Sequence, residues 1–145
     1  MLASNPDDPT DEWFIKLIDF GLSAIRLKSD NNHKVMFVEF CGTPNYMAPE
    51  LSTKSYSQQC DMWSIGIILY LLLSGCYPYT IEGQFRKLDD FENAIQIILN
   101  TTVAYESLGC SDQAIDLIKR CLNVNPAIRI TAGEMLNDPW ILVSI

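Results

Sequence analysis

Apolar and polar positions change rhythm twice along this chain. The opening "SNPDDPTDE" sets two prolines among Asp and Asn, so residues 1–12 read as a turn or linker. "WFIKLIDF" is rich in aromatic and β-branched residues and predicts a strand. A polar loop, "LKSDNNHK", leads into "VMFVEF", which is apolar without a helical period. Together they predict two short strands, a β-hairpin. "GTPNYMAPE" carries two prolines within six residues and predicts loop, with one helical turn after Pro49.

From Ser57 the period becomes helical. Ser57 is placed to cap a helix that runs through Trp63 and Leu73 and stops at Gly75. Phe91, Ala94, Ile95, Ile98 and Leu99 follow a helical stripe, with Asp89 or Asp90 as cap. Ser111 caps a third helix with Ala114, Ile115, Ile118, Cys121 and Leu122 inward. Thr131 and Glu134 form a T-x-x-E capping box, and Pro139 ends that last helix. Ile65, Ile67, Ile68, Leu69, Leu71, Leu72 and Leu73 cover every side of the helix after Ser57, which therefore predicts a central pillar enclosed all round. The reading is mainly α: a helical body over 57–142 behind a short β and loop entrance.

Composition narrows the function. The 145 residues fit one domain, and no internal repeat is visible. A formal charge of −8 with scattered Lys and Arg excludes a nucleic-acid surface, because no basic stripe neutralises phosphates. "IGIILYLLLSG" is too short for a bilayer, which needs about 20 apolar residues, so no membrane role is expected. Five cysteines without a CxxC spacing, beside one histidine, assemble no zinc set and read as reduced thiols in a cytoplasmic protein, a nuclear location remaining open. The Asn100-Thr101-Thr102 sequon reads as chance.

The chemistry begins at "IKLIDFGLS". Asp19-Phe20-Gly21 alone often makes only a turn. After an apolar strand, however, it is the arrangement of a protein-kinase magnesium site: a carboxylate at a strand end with a glycine behind it. Glu50 of Ala48-Pro49-Glu50 lies 31 positions after Asp19, and "DMWSIG" and "NPAIRIT" follow in order. From about Ile15 to Trp140 the chain resembles the C-terminal lobe of eukaryotic Ser/Thr protein kinases. "CGTPNYMAPE" looks like the Ser/Thr form of the substrate loop, and "IKLIDFGLS" with "RITAGEMLNDPWI" is most similar to the calcium/calmodulin-dependent group, including calcium-dependent protein kinases.

The resemblance implies a partial kinase domain over 1–145 with its activation segment at 19–50. Asp19 would be the magnesium ligand bridging ATP phosphates, with Phe20 packed beneath it and Gly21 behind. Gly42, Thr43 and Pro44 would shape the pocket for the residue after the phosphorylated Ser or Thr. Asp61 would anchor the catalytic loop to the central helix beside Trp63, although a helix-dipole charge explains it as well. Glu50 would pair with Arg129 in the interior, a structural role. Glu39, three residues before Gly42, would replace an activating phosphate with a fixed carboxylate; a solvated charge is the equal alternative. Asp138 stands where the family often has His, which touches only a surface contact.

Other kinase parts are absent from these residues. No two of the seven glycines lie closer than eight positions, so G-x-G-x-x-G is excluded; the single histidine is followed by Lys34, so His-Arg-Asp is excluded too. The resemblance thus implies a C-lobe without its N-lobe, inactive alone and binding no cofactor alone, whose full-length kinase uses ATP and Mg²⁺ on a protein substrate. The competing reading is a truncated or pseudokinase-like interaction module, binding through the face from Phe91 to Leu99. With the upstream helix missing, an apolar groove along the Ile65 to Leu73 helix is expected, covered by a second copy, a swapped segment or a shifted helix.

Overall fold

The computed structural model describes residues 7–8, 10, 14–23, 43–53, 56–81 and 88–143. Among these it forms five α-helices: α1 (Gln59–Ser74), α2 (Leu88–Asn100), α3 (Asp112–Cys121), α4 (Ala132–Leu136) and α5 (Pro139–Val143). Short 3₁₀ turns lie at Phe20–Leu22, Pro44–Tyr46, Pro49–Thr53 and Tyr105–Leu108. α1 packs on α3 and on the Pro44–Tyr46 and Tyr105–Leu108 turns; α2 packs on Pro49–Thr53. The architecture is the helical kinase-like C-lobe.

Local chemistry sets the helix ends. Ser57 lies two residues ahead of α1, where its Oγ accepts the Gln59 N–H at 3.4 Å. Gly75 closes the helix at φ 75°, a left-handed conformation that only glycine adopts without cost. Ser111 caps α3 through the Ala114 N–H, and the Thr131–Glu134 capping box is complete in both directions. α2 begins at Leu88, so Asp89 and Asp90 lie inside the helix, not at its cap. Pro139 does not merely stop α4, which ends at Leu136. It opens α5, a role that its missing N–H permits.

Trp63 and Ile67 are fully enclosed, and they join Ala48, Tyr70, Tyr79, Ile98, Leu108, Ile118 and Leu122 in the main core. Met62, Leu117, Cys121 and Ile130 form a second cluster on the other side of α1. Leu117, completely buried, lies outside the face expected for α3. The two helices approach most closely at Gly66: a Cβ there would lie 2.7 Å from Cys121 Cβ. Only glycine allows that crossing.

Two expectations need correction. α1 is not enclosed all round: Ile68 is 43% and Leu72 75% exposed, because α3 and the turns cover only the faces through Trp63, Gly66, Ile67 and Tyr70. Residues 14–19 carry a single bridge at Ile15 and no ladder among the described residues, and "VMFVEF" lies outside them. On α2, Phe91, Ala94 and Ile98 are buried, while Ile97 and Leu99 face outward.

Candidate functional site

Three sets of bonds fasten the segment from Thr43 to Thr53 onto the helical body. Pro44 starts a 3₁₀ turn after the exposed Thr43, whose carbonyl accepts the Tyr46 N–H at 3.1 Å. Ser64, a polar residue amid the apolar middle of α1, donates its hydroxyl to the Tyr46 carbonyl at 2.8 Å. The Tyr46 and Tyr77 hydroxyls share a hydrogen bond at 3.0 Å, with their rings edge to face. That bond, with burial, raises the Tyr46 pKa above its ordinary value.

The third fastening is the strongest. Arg129 donates from Nη1 to Glu50 Oε1 at 2.5 Å and from Nη2 to Oε2 at 2.8 Å. Its side chain is fully buried and that of Glu50 is 8% exposed. The guanidinium also donates to the Gln59 carbonyl at 2.6 Å and the Asn123 carbonyl at 2.9 Å. It lies over the Trp63 ring, 5.2 Å from the centroid, while Tyr79 stacks nearly parallel to that ring. Gln59 reciprocates by donating to the Arg129 carbonyl at 2.8 Å. A planar fork with five donors suits this arrangement, which an ammonium would not reproduce. Among the described residues, the buried Trp63 indole N–H has no acceptor.

Asp19 is set apart from this framework. It adopts φ 61°, a left-handed conformation tolerated by Asp, and its Oδ1 accepts the Gly21 N–H at 3.3 Å to close the Phe20–Leu22 turn. Asp19, Phe20 and Gly21 are all exposed. Among the described residues no three His, Cys, Asp or Glu side chains come together as a metal site. Magnesium binds through one or two carboxylates together with waters and phosphates held by other groups. Asp19, exposed and hydrogen-bonded to the Gly21 N–H, can supply one such carboxylate.

Asp61 sits exposed in the first turn of α1, where its Oδ1 accepts from the Cys60 thiol at 3.8 Å. Burial, with the Asp61 and Glu50 charges, pushes that thiol up to about 12. Cys60, Cys76, Cys110 and Cys121 carry free thiols. Gly42 and Glu39 lie outside the described residues. The structure thus brings Pro44, Glu50, Trp63 and Arg129 into one framework with Thr43 at its edge, and leaves Asp19 and Asp61 outside it.

Gln59, Ser64 and the Tyr46–Tyr77 pair escaped sequence reasoning; a lone serine inside "MWSIG" was the available signal. Asp138 is no surface residue. It is buried, accepts from Arg120 Nη2, and its Oδ1 accepts the Trp140 N–H at 2.9 Å.

Comparison with known proteins agrees with this architecture. The chain is 40% identical over 128 residues to serine/threonine-protein kinase 33 of Bos taurus, which covers 88% of this chain and 25% of that protein. It is 38% identical over 143 residues to calcium-dependent protein kinase 5 of Arabidopsis thaliana, covering 97% of this chain and 23% of that one. Against the calcium/calmodulin-dependent protein kinase cmkB of Emericella nidulans the identity is 39% over 142 residues, 97% of this chain and 33% of the relative. The chain spans about a quarter to a third of these relatives. The protein kinase domain family matches residues 2–141, and on that match and the helical C-lobe described above the chain belongs to the protein kinase domain family.

Proposed function

We propose that this chain is the substrate-side lobe of a Ser/Thr protein kinase of the calcium-dependent type. In this reading it presents Thr43 and Pro44 to a protein substrate, and a longer kinase supplies the ATP cradle, the strand lysine and the His-Arg-Asp loop. The observation that supports it is the buried Glu50–Arg129 fork, which fixes the carboxyl end of the activation segment to the helical body at a separation of 79 positions. A loop held this way presents a fixed surface to a peptide at little ordering cost.

Phosphoryl transfer is catalysed almost wholly by positioning and by charge around the phosphates, and this chain holds neither a glycine-rich loop nor a general base. Alone it is inactive and leaves ATP unbound. The test is transfer of labelled γ-phosphoryl from Mg-ATP to Ser/Thr peptides by the purified 145-residue chain. No transfer is expected, while activity that stays with the chain through successive purification steps would overturn the reading. Glu39 acts in the same reading as a fixed substitute for an activating phosphate. Glu39→Gln in a kinase carrying this lobe should lower the rate, and an unchanged rate removes that role.

A further inference from the structure

Burial along the segment that begins at Thr43 is uneven. Met47, Ala48 and Pro49 are buried, whereas Thr43 is exposed and its side chain makes no capping bond to the turn that follows. That turn is closed by backbone bonds: the Tyr46 N–H donates to the Thr43 carbonyl at 3.1 Å, and the Met47 N–H to the Pro44 carbonyl at 3.0 Å. Thr43 and Pro44 therefore take their position from Tyr46. Tyr46 is gripped at two points, its carbonyl by Ser64 and its hydroxyl by Tyr77.

Tyr77 is itself held from both sides. Gly75, at φ 75°, turns the chain out of α1 two residues earlier. Pro78 follows, buried and with its own φ fixed by the ring, and the buried Tyr79 stacks on Trp63 with centroids 5.8 Å apart. The sequence "SGCYPY" thus delivers a half-buried phenol to a fixed point beside the Pro44–Tyr46 turn. The edge-to-face contact of the Tyr46 and Tyr77 rings, at 5.6 Å, sets the direction of approach, and the 3.0 Å bond between hydroxyls sets the distance.

We infer that Tyr77 is a positioning residue for peptide binding: through the Tyr46 hydroxyl it holds the Pro44–Tyr46 turn in the conformation that receives a Ser/Thr peptide. This rests on the reading of the chain as a peptide-presenting lobe. The two grips on Tyr46 divide the work. Ser64 fixes where the backbone passes, and Tyr77 fixes the rotation of the turn about that point. Loss of the Tyr77 hydroxyl loosens the turn without unseating the segment, because the Ser64 bond, the buried Met47 to Pro49 and the Glu50–Arg129 fork remain. A turn that has to be ordered on binding weakens peptide affinity by the ordering cost, while chemistry on the bound peptide proceeds as before.

Two measurements test this. In the 145-residue chain, Tyr77→Phe keeps the ring and deletes the hydroxyl. Amide hydrogen exchange at Tyr46 and Met47 should quicken roughly two- to tenfold, the range of one neutral hydrogen bond, with the α1 and α3 amides unchanged. In a kinase carrying this lobe, the same substitution should raise the peptide KM by a similar factor and leave kcat as it was. Tyr46→Phe should match it, and the double substitution should be no worse than either alone, since the same single bond is lost in each case. Tyr105→Phe removes a hydroxyl elsewhere in the lobe and should change neither readout. Unchanged exchange in Tyr77→Phe overturns the inference. So does an unchanged peptide KM, a fall in kcat in place of the KM rise, or effects of the two substitutions that add. A parent kinase that phosphorylates no Ser/Thr peptide defeats the reading of the lobe instead, and the exchange measurement still decides whether Tyr77 holds the turn.

Discussion

Removing one member of the Glu50–Arg129 pair is the sharpest test of the framework. Arg129→Ala deletes two charged hydrogen bonds to Glu50, those to the Gln59 and Asn123 carbonyls, and the contact over Trp63. It leaves a carboxylate whose side chain is only 8% exposed without its cation. Stranding a buried charge typically costs about 3–5 kcal/mol. At roughly 2–4 °C per kcal/mol for chains of this size, the melting temperature should fall by about 6–20 °C. Urea unfolding followed by tryptophan fluorescence is a suitable assay, because Trp63 lies directly against the guanidinium. Arg129→Lys should lose much of the same stability, since an ammonium cannot bond both carboxylate oxygens in plane. Glu50→Leu combined with Arg129→Met should be less damaged than Arg129→Ala, because no lone charge remains. If Arg129→Ala costs under about 1 kcal/mol, the pair is behaving as a surface ion pair and the argument for a locked segment fails.

Gly66→Ala should destabilise by about 1–3 kcal/mol in the same assay, because the new methyl meets Cys121 Cβ at 2.7 Å and Leu122 Cδ2 at 2.9 Å, and a neutral result would mean the α1–α3 crossing yields easily. Asp138→Ala removes one of Arg120's two carboxylate partners, Asp116 remaining, and the acceptor of the Trp140 N–H, so a loss of about 0.5–1.5 kcal/mol is expected, with Asp138→Asn closer to the parent because it keeps an acceptor. Alkaline titration should also weaken the fold. Burial pushes the Cys60 thiol and the Tyr105 hydroxyl up to about 12 and the Cys121 thiol up to about 11. The folded chain therefore keeps protons that the unfolded chain has lost, and stability should drop as the pH rises from about 9 towards 12; a flat profile would contradict the burial. At neutral pH, alkylation with peptide mapping should find the exposed Cys76 modified first and the buried Cys121 only on unfolding.

Much of the helical body was legible because its signals are local. Ser111, Gly75 and the Thr131–Glu134 box each act within one turn, so the sequence contains the whole interaction. The Glu50–Arg129 geometry was accessible only through family resemblance, since nothing between two residues 79 positions apart announces a pairing. Enclosure of α1 was misread for a related reason. Seven apolar side chains state a preference for burial, but whether partners exist on each side depends on elements elsewhere, and the side through Ile68 and Leu72 has none among the described residues. Asp138 shows the opposite error. A charged residue beside proline looks like surface, yet Arg120 from α3 and the α5 N-terminus supply partners that allow it to be buried.

The distribution of bonds separates two jobs that a kinase lobe combines. The segment from Thr43 to Thr53 is held by Ser64, Tyr77 and Arg129, all within this chain. Among the described residues Asp19 is held by its own turn, through one 3.3 Å bond from the Gly21 N–H, among neighbours that are themselves exposed. In the proposed reading, peptide presentation and phosphate chemistry would therefore rest on different supports. The first is built into the helical body at a cost already met by the core around Trp63 and Ile67. The second would in that reading draw on groups of a longer kinase, and joining them to the lobe should leave the Glu50–Arg129 framework as it is.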